Sequence, residues 1–229
     1  MHKIIILLAA ALLLAAPAAA QDFEKGVAAY EAGDYATALA ELRPLAEGGD
    51  AGAQQKLGVM YYLGRGVPEN YEEAARWTQL AAEQGNIQAQ NNLGYLYFSG
   101  LGVKEDREAA VLWYRRAAGQ GDVRSQNTLG TLYRFGRGVL RNDAEAAHWF
   151  ARAAEQGHAE AQLYLGVMYE NGEGLPRDKI KAQVMYILAA GQGVEGAARN
   201  RDHNARNLSA EQIAEAERLA GELRQVYGK

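Results

Sequence analysis

The chain contains no cysteine among its 229 residues. That absence excludes disulfides, thiolate metal sites and thiol nucleophiles. It also excludes the lipid anchor of an exported lipoprotein, which needs a cysteine after the cleavage site. Histidine is scarce: beyond the first twenty residues only His148, His158 and His203 occur, in no H-E-x-x-H or other zinc spacing. No G-x-S-x-G stretch marks a hydrolase serine. There is no basic excess, and a formal net charge of −4 leaves no electrostatic footprint for nucleic acid. Long hydrophobic runs are missing after the start of the chain. The run at the start, Ile4 to Ala16, has 13 residues, against the roughly 18 or more of a membrane span. With Lys3 before it and Ala18-Ala19-Ala20 after it, residues 1–20 read as an export leader cut near Ala20-Gln21. The expectation is an exported protein, periplasmic or secreted, with no membrane span after cleavage.

What the chain has instead is one phrase written four times. "LGVMYYLGRGV" begins at residue 57, "LGYLYFSGLGV" at 93, "LGTLYRFGRGV" at 129 and "LGVMYENGEGL" at 165, a period of 36. Recurrence at such a period marks stacked units that bury their apolar faces against neighbours. Asp34, Asn70, Asp106, Asn142 and Asp178 keep the same spacing, each before an alanine-rich run. A short polar side chain there caps a helix by accepting an orphan backbone N–H. Asn70 with Glu73, and Asn142 with Glu145, fit a reciprocal version of that cap. Gly49, Gly85, Gly121, Gly157 and Gly193 supply left-handed stops, and Asp50, Asn86, Asp122 and His158 stand where the following helix starts. Each unit therefore reads helix, turn, helix.

In the first helix of each unit, Leu57, Gly58 and Tyr61 and their three later counterparts share one side. A mid-helix glycine costs up to about 1 kcal/mol relative to alanine, so four in register predict close approach of a neighbouring helix. In the second helix Trp77, Trp113 and Trp149, with Met185 last, stand between alanines and read as core knobs. Val67, Val103, Val139 and Leu175 follow the paired glycines of the loop and are expected to plug the open end of each helix pair.

The pattern A-x-x-L-G-x-x-Y, then G-x-G-V, A-x-x-W and A-A-x-x-G, resembles the Sel-one-like repeat family, a relative of the tetratricopeptide repeats. Four units match over residues 50–193. Residues 21–49 resemble an ordinary tetratricopeptide unit with a loop shorter by four residues, and residues 194–229 read as degenerate C-terminal capping helices, with Ser209 and Gln212 forming a capping box. The resemblance implies an all-α fold, a right-handed α-solenoid of antiparallel helix pairs. It also implies that the first helices line a concave groove. Carried over on the Leu-Gly register, the candidate partner-binding residues are Gln55, Tyr62, Gln88, Asn91, Tyr95, Phe98, Arg124, Asn127, Thr131 and Arg134. Asn91 and Asn127 suit a peptide backbone. Tyr95 and Phe98 offer aromatic anchors beside Arg124 and Arg134, types enriched in binding hot spots.

No catalytic, metal or cofactor residue is assigned. The resemblance implies an interaction module, here an exported adaptor for a protein or peptide segment in envelope signalling or assembly. Two alternatives stay open beside it. One is a glycan- or peptidoglycan-binding module using the same groove. The other is a β-lactam-interacting enzyme of the kind linked to cysteine-rich relatives, from which this chain departs by lacking every cysteine.

Overall fold

A computed structural model describes residues 22–227. The expected leader, residues 1–20, and its expected cleavage point at Ala20-Gln21 lie outside the described residues, as do residues 228 and 229. Among the described residues every regular element is a helix. In order they are α1 (Phe23–Glu31), α2 (Tyr35–Glu47), α3 (Ala51–Leu63), α4 (Tyr71–Glu83), α5 (Ile87–Ser99), α6 (Arg107–Gly119), α7 (Val123–Phe135), α8 (Asp143–Ala154), α9 (Ala159–Asn171), α10 (Lys179–Gly191), α11 (Ala197–Ala205) and α12 (Ala210–Tyr227). From α1 to α11 each helix packs on the one before and the one after, so the pairs stack as an α-solenoid. The buried apolar residues accordingly form a line of clusters instead of one centre. Among the described residues no helix is long and apolar enough to cross a membrane.

Local chemistry places the helix ends. Asp34, Asn70, Asp106, Asn142 and Asp178 are all N-caps, each accepting the backbone N–H three residues on. His158 caps α9 in the same way, its Nδ1 accepting from the Ala161 N–H at 3.3 Å. The reciprocal half expected at Asn70 and Asn142 is not made. Their own N–H groups already donate to the carbonyls of Tyr61 and Tyr133 at 3.0 Å, and Asp106 and Asp178 do the same to Tyr97 and Tyr169. Glu73, left without that donor, pairs with Arg76 instead. At Ser209 nothing competes, and both bonds of the capping box with Gln212 form.

The glycines of the first helices sit against the second helix of the same unit. A Cβ at Gly94 would stand 3.0 Å from the Tyr114 ring, at Gly130 2.6 Å from Phe150, and at Gly166 2.7 Å from Tyr186. Gly26 meets Leu42 in the same way, and Gly58 meets Thr78. The knob on each glycine is therefore the residue after the tryptophan, or after Glu41 and Met185 at the equivalent positions of the first and last of these units. Trp77 is buried, while Trp113 and Trp149 are half-buried, each with an arginine guanidinium over its ring. Gly94→Leu is expected to overpack the Tyr114 contact and cost about 1–3 kcal/mol. A circular-dichroism melt that matches the wild type would show that the crossing tolerates a side chain.

A buried glutamine ladder ties one unit to the next. Gln54, Gln90, Gln126 and Gln162 each donate to a carbonyl near the end of the preceding unit's second helix: Ala46, Ala82, Ala118 and Ala154. Each also accepts from a glutamine closing its own unit, Gln84, Gln120, Gln156 or Gln192, at 2.7–2.9 Å. Each of those carbonyls already accepts the N–H of the glycine three residues on, and the glutamine supplies its second donor, from the next unit. The end of the array differs. Helix α12 does not pair with α11 as a second helix would; it lies along α10, where Ala216 and Ala220 meet Val184 and Leu188.

Candidate partner-binding cleft

A cleft of about 560 Å³ opens among the first helices of the stack. Val59, Tyr62 and Leu63 of α3 form one wall, with Asn91, Asn92, Tyr95 and Leu96 of α5 opposite. Thr78 of α4 and Tyr114 of α6 reach it from the second helices, and Arg124, Asn127, Thr128, His158 and Glu160 continue it through α7 to the start of α9. One end is aromatic and the other polar. That division follows from helical spacing: Tyr62 and Val59, three apart on α3, share a face, as do Arg124 and Asn127 on α7.

At the aromatic end Tyr95 is 45% exposed and meets Tyr62 edge-on, with ring centroids 6.3 Å apart. Side-chain hydrogen bonding with Tyr95, and then burial, pushes the Tyr62 phenol up to about 12. Burial also raises the Tyr114 phenol above its ordinary range. Both rings thus stay neutral at ordinary pH and present apolar faces with a polar tip.

At the polar end Arg124 is exposed and has no carboxylate partner among the described residues. His158, with Nδ1 occupied as a cap acceptor, keeps Nε2–H as its donor. Asn91 is committed: its amide donates to Ser125 Oγ at 2.7 Å and to Asp122 Oδ2 at 3.3 Å, bracing the start of α7. Asn127 donates to Glu160 at 3.4 Å, and its buried Oδ1 has no donor.

Of the candidate residues, Tyr62, Asn91, Tyr95, Arg124 and Asn127 line this cleft. The other five lie outside its lining. Gln55 is buried and Gln88 exposed. Phe98 is half-buried against the neighbouring core with the Arg107 guanidinium 5.4 Å from its ring. Thr131 donates its hydroxyl to the Asn127 carbonyl within α7, and Arg134 is held by Glu173 at 3.0 Å. Thr78, Tyr114 and His158 line the cleft without having been singled out for binding. A signal for the first two stood in the sequence, since the position after the tryptophan, or after Met185 in the last unit, reads Thr78, Tyr114, Phe150 and Tyr186.

A model of the Sel1 repeat family matches residues 51–86, 87–122, 123–158 and 159–194. Among solved structures, the chain is similar to a protective antigen present in uropathogenic Escherichia coli strains that displays an SLR fold. The identity is 36% and the TM-score 0.79, covering 87% of this chain and 45% of that one. It is also similar to a Sel1 repeat protein from Oxalobacter formigenes, at 32% identity and a TM-score of 0.77, covering 88% of this chain and 85% of that one. This chain thus spans less than half the length of the Escherichia coli protein. Comparison with curated proteins finds no match.

Proposed function

The chain belongs to the Sel1 repeat family, and on that premise we propose that it is a non-catalytic, exported adaptor that captures a segment of a protein partner in the cleft. Proteins of this family are generally interaction scaffolds. The observation that carries the reading is the pairing of an exposed aromatic end, Tyr95 on Tyr62, with the unpaired Arg124 on one rigid surface. Backbone order is set beneath them by caps and the glutamine ladder, so little is lost in ordering the surface on binding. The leader-like residues 1–20 support an exported adaptor in an envelope setting.

The test is selection of a displayed random-peptide library on the purified protein, followed by titration of the enriched peptides. Replacing Tyr62 and Tyr95 together with alanine is expected to weaken those peptides by about 30-fold or more, the scale of a lost hot spot. The circular-dichroism spectrum should be unchanged. Enriched peptides that bind the double variant as tightly as the wild type would place recognition on another surface.

A further inference from the structure

Every unit of the array sets a side chain of its second helix onto a glycine of its first helix, and one unit does so with a much smaller residue. The series runs Leu42 on Gly26, Thr78 on Gly58, Tyr114 on Gly94, Phe150 on Gly130 and Tyr186 on Gly166. Where the ring is present it fills the space between the helices and reaches the groove side; the Tyr186 hydroxyl donates to Glu170 of α9 at 2.6 Å. Thr78 lacks the ring, and the cleft is floored at that point by Gly58, Ala74 and Thr78, each buried beneath it. The opening has the chemistry of the missing group, with Tyr62, Tyr95 and Tyr114 beside it. Aromatic rings pair favourably edge-on or offset, as Tyr62 and Tyr95 already do.

We infer that this gap is an anchor site for an aromatic side chain of a partner polypeptide, which takes the place of the ring the repeat omits, while a carboxylate of the same segment meets Arg124. The inference deepens the proposed function and rests on it. Its charge component comes from Arg124, a cation without a carboxylate partner among the described residues, and from the His158 Nε2–H donor at the same end. Glu160 also lies there and keeps its negative charge while accepting from Asn127, so this end carries both signs, and Arg124 is the group open to a carboxylate. A bidentate guanidinium–carboxylate contact is the strong form of such a pair.

The experiment uses short N-acetylated, C-amidated peptides containing Phe and Asp two residues apart, followed by amide NMR titration of the protein. Shifts are expected at Gly58, Thr78, Tyr95 and Tyr114. Replacing Phe in the peptide with Ala is expected to weaken binding about tenfold or more, as is usual for a buried aromatic anchor. Arg124→Gln is expected to abolish the preference for Asp over Asn. Thr78→Tyr, which copies the arrangement at Gly94, is expected to fold, to melt no lower than wild type, and to lose the peptide. Thr78→Val keeps the space and keeps binding, which separates filling from loss of a hydroxyl. A Thr78→Tyr protein that binds the peptides unchanged overturns the anchor site. If library peptides still depend on Tyr62 and Tyr95 in that case, the groove reading survives without it. An unaltered Asp preference in Arg124→Gln overturns the charged contact. Muropeptides that shift the same amides while the Phe peptides do not would overturn a polypeptide occupant.

Discussion

Gly102→Ala is expected to destabilise the array by about 2–5 kcal/mol, because two costs fall on one residue. Its φ of +69° lies where an L side chain is strained. A Cβ there would also run into the carbonyl of Tyr71, the first residue of α4 in the preceding unit. That neighbour is backbone held by the Asn70 cap, so it cannot swing aside as a side-chain tip would. Gly66, Gly138 and Gly174 make the same approach to Tyr35, Arg107 and Asp143. The second glycine of each G-x-G loop is therefore an inter-unit contact as well as a turn. Gly121→Ala is the control, since Gly121 has φ +98° with nothing within 4 Å of a Cβ, and it carries the strain alone. Because each unit contacts only its neighbours, the damage should be local. Hydrogen exchange is expected to show α1 to α4 opening ahead of the rest in Gly102→Ala. Equal melting of the two variants would remove the backbone collision from the account.

Gln126→Leu is expected to cost about 1–3 kcal/mol, although leucine is near glutamine in size and the site is fully buried. The change deletes the bond to the Ala118 carbonyl, which keeps the Gly121 N–H, and takes away the 2.7 Å acceptor of the Gln156 amide, leaving that amide to the Arg152 carbonyl and to water. Two hydrogen bonds of a fully buried side chain are lost, and the extra apolar contact does not replace them. Replacing Gln126 and Gln156 together with leucine removes both ends of the pair and should recover part of the loss. Denaturant melts of the two single variants and the double variant give the coupling directly. Additive losses would mean that the ladder contributes through packing alone.

The same glutamines show where reading the chain stops short. They recur every 36 residues as plainly as the glycines do, yet residue type gives no sign that Gln54 is buried, because its partners come from the unit before it and from the far end of its own. The caps were legible because their chemistry is local: Asp106 and the Ala109 N–H are three residues apart whatever surrounds them. The glycine crossings were legible because a penalty repeated four times demands a neighbour. The reciprocal caps at Asn70 and Asn142 were misread, since a distant carbonyl had taken the donor first. The tryptophans were legible as core side chains, whereas the side chain set on each glycine stands one residue later, a rotation of about 100° that spacing alone does not resolve.

What the amino-acid order decided unaided was the period, the helix starts at short polar residues, and a linear stack of helix pairs, since these depend on contacts within a few residues and on their repetition. What only the packed molecule decided was where the stack is incomplete. Thr78 sets a small side chain where the three later units set a ring, and α12 lies along α10 because Val184 and Leu188 offer apolar surface there. Both are properties of surfaces from distant parts of the chain, whose fit appears only when they are brought to within van der Waals distance.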